Sequence, residues 1–111
     1  MLNWVEYRKE LLGRIGEIGQ ITPDTVKGYK TLSAATTGSL DAKTRELIAL
    51  AVAVTTRCDG CITVHTAEAL KHGATHEEIA DALSVAISLN AGAALVYSAR
   101  VMDAVQAYEK A

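Results

Sequence analysis

Residues 46–65 read ELIALAVAVTTRCDGCITVH, and this stretch decides the fold and the chemistry that the sequence predicts. Its first part is an apolar run after Glu46, which is typical of a largely buried helix. Its second part places the only two cysteines, Cys58 and Cys61, three positions apart and follows them with His65. Random placement of two cysteines would give this spacing roughly 2% of the time. Two such sulfurs can close a small disulfide ring or share a metal, so the clustering indicates a redox or metal site.

The cysteine motif is predicted to open a helix, because Cys61, Ile62, His65 and Ala69 fall on one stripe at helical spacing. A helix N-terminus favours an anion and therefore a thiolate, although the dipole contributes only about 1 kcal/mol at best. The negative charge of Asp59 beside Cys58 opposes a thiolate there, which favours Cys61 as the more reactive sulfur. His65 follows Cys61 by four residues, with Cβ atoms about 6 Å apart, and is a candidate base.

A histidine base usually has a partner that fixes its tautomer and stabilises its charged form. Glu46 is the candidate, because a carboxylate at the start of a buried helix requires a partner. Two other interpretations are open from position alone. The Glu46 carboxylate could be stabilised by the positive N-terminal end of a helix that begins near Asp41, or it could pair with Lys43 or Arg45.

The spacing of these residues resembles the signature of the alkyl hydroperoxidase D and carboxymuconolactone decarboxylase superfamily. The matching pattern is Glu46, eleven residues, Cys58-x-x-Cys61, three residues and His65. The flanking segments 40–47 and 69–79 resemble that family as well. The resemblance covers roughly residues 20–100, and its several spaced parts make it far more specific than a C-x-x-C pair alone.

The resemblance implies a thiol-dependent antioxidant oxidoreductase that reduces peroxides and needs no bound cofactor. By family analogy Cys61 attacks the peroxide, Cys58 resolves the product by closing a disulfide with Cys61, and His65 and Glu46 form a proton relay. The implied partners are a peroxide or organic hydroperoxide and a thiol electron donor. The chain departs from the best-studied hydroperoxidases at Gly60, where they carry a second histidine. An auxiliary proton donor is therefore missing.

Two alternative functions compete with this interpretation. The first is a zinc-binding structural or interaction module, in which Cys58, Cys61 and His65 are three ligands and Glu46 or a neighbouring subunit supplies the fourth. A closed structural zinc site normally draws its ligands from two separated knuckles, which disfavours it. The second is a carboxymuconolactone decarboxylase-like lyase, which would leave the cysteine pair unexplained.

Apolar periodicity and capping signals predict an all-α fold, a single compact domain that spans residues 1–111. The signals include Thr22-Pro23 at one helix start and a Thr75-x-x-Glu78 capping box at another. Asn90-Ala91-Gly92 is expected to separate the last two helices. The six predicted helices cover approximately residues 4–19, 23–35, 41–55, 58–72, 75–89 and 93–108.

Composition narrows the partners and the compartment. The net charge of -2, with both signs interspersed, argues against a nucleic-acid partner. The absence of a signal-like apolar core at the N-terminus and the lack of further cysteines favour a cytoplasmic protein. The uncharged stretch 82–99 reaches the lower limit for a membrane span, but polar residues interrupt it. We expect two buried helix segments there and no membrane role. His72 and His76, at helix ends, are expected to lie outside the site.

The first and last predicted helices carry more apolar surface than a thin core of this length covers. We therefore expect a homo-oligomer, and the family resemblance implies a trimer or a hexamer. The residues that suggest the interface are Trp4, Leu11, Leu12, Ile15, Val96, Val101 and Val105.

Overall fold

A computed structural model describes all 111 residues and confirms the all-α fold. It contains five helices rather than the six expected. They are α1 (Trp4–Ile21), α2 (Pro23–Ala34), α3 (Ala42–Thr56), α4 (Asp59–Lys71) and α5 (His76–Lys110).

Side chains of the residues that precede the helices satisfy their first free N–H groups. Asp41 Oδ1 accepts from Thr44 N at 2.7 Å, and this bond is the main reason that the pKa of Asp41 is lowered. The predicted capping box at the start of α5 is complete: Thr75 Oγ1 accepts from Glu78 N, and Glu78 Oε1 accepts from Thr75 N. Helix boundaries at these positions follow directly from the sequence.

The last two predicted helices are one continuous helix of 35 residues, so the expected break at Asn90-Ala91-Gly92 is wrong. The Asn90 amide donates to Ala86 O at 2.7 Å and to Thr55 Oγ1 at 2.9 Å. It therefore bonds one turn back within α5 and across to α3 instead of disrupting the backbone. A single helical glycine costs only about 1 kcal/mol relative to alanine, and alanines surround Gly92.

The expectation of two buried segments within residues 82–99 is also wrong. In α5, an 18-residue window with a mean hydropathy of 1.7 is only 6% buried. By length and composition alone, this helix meets the requirements for crossing a membrane. Long soluble helices with an apolar face meet the same requirements, and in the single chain most of this face has no partner.

The packed centre of the molecule is formed by α3, which lies against both α4 and α5. Its buried cluster is Leu50, Ala69 and Ala74, with Leu47 and Ile79 partly buried against it. Two of the three clustered side chains are alanines, which lets the helices approach closely. This centre holds together the two helices that carry the predicted site residues.

The remaining two helices extend from this centre. Helix α1 packs on α4, and α2 packs only on α1. The Thr63 hydroxyl donates to Trp4 O at 2.8 Å and fixes the start of α1 to the motif helix. The radius of gyration is 19.0 Å, whereas a compact chain of this length has one of about 13 Å. The single chain is therefore more extended than a compact globule of its length.

An ion pair connects the start of α3 to the start of α5. Lys43 Nζ lies 2.7 Å from Glu78 Oε2. This hydrogen bond is the main cause that lowers the pKa of Glu78 and raises the pKa of Lys43. Glu78 consequently has two structural roles, in the capping box and in the contact between α3 and α5.

We expect Glu78→Gln to lower the melting temperature at pH 7 and to do so progressively less as the pH falls below the ordinary glutamate pKa of 4.5. Because the pKa of Glu78 is lowered by folding, its stabilisation is present above the unfolded value and is lost as pH falls through the folded one. Thermal melts at pH 7 and at acidic pH measure the difference. Glu77→Gln, an exposed first-turn neighbour without an ion pair, is the control. An equal deficit at both pH values would contradict the assignment.

Candidate active site

The turn between α3 and α4 brings the cysteine motif to the end of the buried helix. Arg57 closes α3 in the left-handed conformation with φ 55°, and its N–H bonds Ala53 O. Cys58 N also donates to Ala53 O, at 3.0 Å. A left-handed conformation costs a residue other than glycine roughly 1–2 kcal/mol. The packing around this turn therefore maintains a tight connection that places α4 directly after α3.

Cys58 and Cys61 form a disulfide, with their Cα atoms 5.2 Å apart. Cys58 occupies the N-cap position of α4, and its Sγ accepts a hydrogen bond from Cys61 N at 3.1 Å. Both residues are half-buried. The sulfur of Cys58 therefore lies where the helix N-terminus favours negative charge.

Glu46 and His65 are brought together across α3 and α4. Glu46 Oε2 lies 2.7 Å from His65 Nδ1, and the side chains are 21% and 29% exposed. The other two partners considered for Glu46 are engaged elsewhere: Lys43 pairs with Glu78, and Arg45 donates to Ala35 O. The structure thus selects the histidine interaction from the alternatives that the sequence left open.

This pairing sets the chemistry of the imidazole. When Nδ1 of His65 carries the proton and donates it to Glu46, Nε2 of the neutral ring is the acceptor. Cys61 lies one helical turn before His65 on the same face of α4. The structure thus places an oriented imidazole one helical turn after Cys61, on the helix that the cysteine pair opens.

The other two histidines lie away from this pair. His72 Nε2 lies 3.8 Å from Glu68 Oε2 at the C-terminal end of α4, and His76 is exposed in the first turn of α5. No three or more His, Cys, Asp or Glu side chains are grouped closely enough to hold a metal ion.

Helix α1 covers the motif at the position where the chain departs from the best-studied hydroperoxidases. A Cβ atom added to Gly60 would lie 2.6 Å from Cδ2 of Leu11. Leu11 therefore occupies the space that a side chain at position 60 would need. The sequence showed that the second histidine is absent, but this long-range contact between α1 and α4 carries no local sequence signal.

The fold and the site define a class: a small all-helical protein in which a C-x-x-C disulfide opens one helix and a Glu–His pair adjoins it. Residues 23–104 match the sequence profile of the Carboxymuconolactone decarboxylase family, and the chain belongs to that family.

Individual relatives agree with this membership. A protein of Haemophilus influenzae is 51% identical over 104 residues, which are 92% of each chain. The crystal structure of a carboxymuconolactone decarboxylase family protein from Legionella pneumophila, in its apo form, is similar with a TM-score of 0.73 and 34% identity. That match covers 86% of this chain and 88% of the other. A Methanobacterium thermoautotrophicum structure has a TM-score of 0.69 and 32% identity, over 74% and 94% of the two chains.

We expect Leu11 and Gly60 to be energetically coupled. Gly60→Ala should lower the free energy of unfolding by about 1 kcal/mol more in the wild-type background than in a Leu11→Ala background. The reason is that only the wild-type background has a leucine side chain that clashes with the new methyl group. A double-mutant cycle of denaturant unfolding measures this difference. Gly16→Ala, at a helical glycine with open space around it, is the matched control and should show no dependence on Leu11. Additive effects at positions 11 and 60 would contradict the proposed contact.

Proposed function

We propose that this protein is a peroxide-reducing thiol oxidoreductase that cycles between a Cys58–Cys61 dithiol and the corresponding disulfide. The observation that carries the proposal is the hydrogen bond between Glu46 of α3 and His65 of α4. The same helix α4 is the one that the cysteine pair opens. A disulfide with only structural duties would need no oriented base beside it. A reducing compartment such as the cytoplasm suits a dithiol that must be regenerated.

In the first step, the Cys61 thiolate attacks a hydroperoxide oxygen. An S–O bond forms, the O–O bond breaks, and the alkoxide leaves to become an alcohol with the proton that His65 took from the Cys61 thiol. Cys61 is oxidised to a sulfenic acid and the hydroperoxide is reduced by two electrons. Glu46 stabilises the charged imidazole while it holds the proton.

In the second step, the Cys58 thiolate attacks the sulfenic sulfur of Cys61. The S–S bond forms, the S–O bond breaks, and the hydroxyl leaves as water after protonation. The bond from Cys61 N to Cys58 Sγ supports this role, because the N-cap position stabilises a sulfur anion and so opposes the repulsion from the neighbouring Asp59. An external dithiol, or two external thiols, then reduces the disulfide by two electrons.

A lyase of the decarboxylase type is the second candidate, and the family to which the chain belongs is the observation in its favour. Such a reaction breaks a C–C bond to carbon dioxide and changes no sulfur oxidation state. Alkylation of both thiols therefore separates the candidates: it abolishes peroxide reduction through the cysteine pair and has no direct effect on a lyase reaction that does not use sulfur.

The relay predicts a graded series of peroxidase rates. With the reduced protein and cumene hydroperoxide, Cys61→Ser should abolish turnover, and His65→Gln should lower kcat/KM by roughly 10²–10⁴-fold, as expected for loss of a general base. Glu46→Gln should have a smaller effect, because it acts through the histidine. His76→Gln, outside the site, is the control.

Single-turnover mass spectrometry gives the matching structural readout. After one equivalent of peroxide, the wild-type chain should be lighter by two hydrogens, with Cys58 and Cys61 in one disulfide-linked peptide. Cys58→Ser should instead stop at the Cys61 sulfenic acid, which dimedone traps. Peroxide turnover that persists in Cys61→Ser, or wild-type activity in His65→Gln, would contradict the mechanism.

We also propose that the chain functions as a homo-oligomer. Its accessible surface is 8730 Å², whereas a folded monomer of 11.8 kDa exposes about 5900 Å². The excess of roughly 2800 Å² per chain exceeds what a standard protein–protein interface buries on one partner. Large apolar side chains are exposed along α5: Val85, Ile87, Leu89, Leu95, Val96, Val101 and Met102. The family resemblance favours a trimer or a hexamer.

Light scattering of the wild type at micromolar concentration should report a multiple of 11.8 kDa. Leu95→Glu should shift the mass towards one chain, because Leu95 is 76% exposed in the single chain and a buried glutamate would oppose association. Gln20→Glu adds the same charge at an exposed position of α1 and is the control. A stable wild-type species of 11.8 kDa would contradict the oligomer.

A further inference from the structure

A groove between α1 and α4 lies beside the cysteine motif and takes no part in the reaction steps above. Its volume is about 630 Å³, which is within the range of small-molecule sites. Six of its ten lining residues are apolar, among them Trp4 and Leu12 on α1 and Ile62 and Leu70 on α4. An apolar ligand segment could therefore replace water along its length.

The charged groups of the groove all have one sign. Arg8 and Lys9 line it, and no carboxylate does. Neither of these cations takes part in any of the ion pairs of the chain. Moreover, Arg8 Nε is buried without a hydrogen-bond acceptor. A buried donor without a partner costs free energy, so this atom indicates an acceptor that the single chain does not supply.

We infer that this groove binds an amphipathic organic anion, an acyl chain that ends in a carboxylate, with the carboxylate on Arg8 and Lys9 and the chain along the apolar wall. Arginine suits the head group, because its N–H donors match the two carboxylate oxygens. The apolar residues suit a tail with few polar atoms. A neutral lipid would leave the two cations without a counter-charge, and a cation would be repelled.

The position of the groove connects this ligand with the cysteine site. Ile62 lines the groove and directly follows Cys61. At the other wall, Leu12 follows Leu11, which lies against Gly60 inside the motif. Both walls of the groove therefore begin next to residues of the cysteine motif, although neither cysteine lines the groove. The substrate class that we infer rests on the proposed peroxidase function. It is the hydroperoxide of an acyl carboxylate, with its O–O group on the acyl chain, which extends towards Cys61.

Binding is tested first, and without reference to catalysis. Trp4 is the only tryptophan and lines the groove, so its fluorescence reports occupancy. The probes are decanoate, decanol and decyltrimethylammonium, which share a tail and differ in the charge of the head group. We expect decanoate to bind at least 10-fold more tightly than either of the others, since only it can pair with the cations.

Variants locate the site. Arg8→Gln should weaken decanoate binding by about 10-fold, the loss expected for one charge-assisted contact. Arg14→Gln is the matched control, because Arg14 lies on the same helix, is 78% exposed and pairs with Glu17. Ala67→Leu, which narrows the groove without a change of charge, should weaken decanoate and decanol alike. Far-ultraviolet circular dichroism verifies the fold of each variant.

The outcomes decide between occupants. Equal affinity for decanol and decanoate on the wild type, or wild-type affinity in a folded Arg8→Gln, would overturn the anion site. Failure of the wild type to bind decanoate at concentrations below its micelle formation would also overturn it. If the groove is instead filled by a second copy of the chain, decanoate will be excluded and sedimentation will show weaker self-association in Ala67→Leu.

The substrate class is tested separately. With a fatty-acid hydroperoxide and tert-butyl hydroperoxide as substrates, Arg8→Gln should lower the ratio of the two kcat/KM values by about 10-fold, and Arg14→Gln should leave the ratio unchanged. An unchanged ratio in Arg8→Gln would refute the substrate class and leave the peroxidase proposal intact. Decanoate binding without turnover of either hydroperoxide would refute the peroxidase and leave the anion site intact.

Discussion

The close packing of α3 against α4 is the constraint on which the rest of the structure depends. Ala69 of α4 lies against Leu50 of α3 in the buried cluster, together with Ala74 from the connection after α4, and the small side chain of Ala69 allows the approach. The short left-handed turn at Arg57 then leaves α4 little freedom of direction. These features together bring Glu46 within hydrogen-bond distance of His65 although nineteen positions separate them in the chain. A residue larger than alanine at position 69 would push α3 and α4 apart and separate Glu46 from His65 without contacting either side chain.

The two ends of the motif helix have different functions. Its N-terminal turn contains the cysteine pair, and Leu11 of α1 packs against it at Gly60. In the same part of α4, the buried Thr63 hydroxyl donates a hydrogen bond to Trp4 O of α1. Further along, α4 forms one wall of the groove that contains Arg8. Helix α1 therefore contributes to both the environment of the sulfurs and the groove beside them, although it carries none of the four residues assigned to the reaction.

The parts of the fold that the sequence predicted are those with local causes. The Thr75–Glu78 capping box is encoded by two residues three positions apart, and the structure contains both of its hydrogen bonds. The partner of Glu46 could not be chosen from position alone, because Lys43 and Arg45 were nearer in the chain and only tertiary packing removes them. Asn90 was wrongly predicted to end a helix. Its side-chain amide donates hydrogen bonds to Ala86 O within α5 and to Thr55 Oγ1 of α3, and the helix continues through it. The extended shape of the single chain and the Leu11–Gly60 contact could not be predicted from the sequence either. Both depend on how helices that are distant in the chain pack together.

The capping of α4 by a sulfur atom has a consequence for the conformational stability of the helix itself. In one oxidation state the capping atom is part of a neutral disulfide, and in the other it can carry a full negative charge next to free N–H groups. By thermodynamic linkage, whatever strengthens the cap in the reduced state also makes the disulfide easier to reduce. Fraying of the first turn of α4, which amide hydrogen exchange can follow, and the midpoint potential of the cysteine pair are therefore two measures of one free-energy cycle.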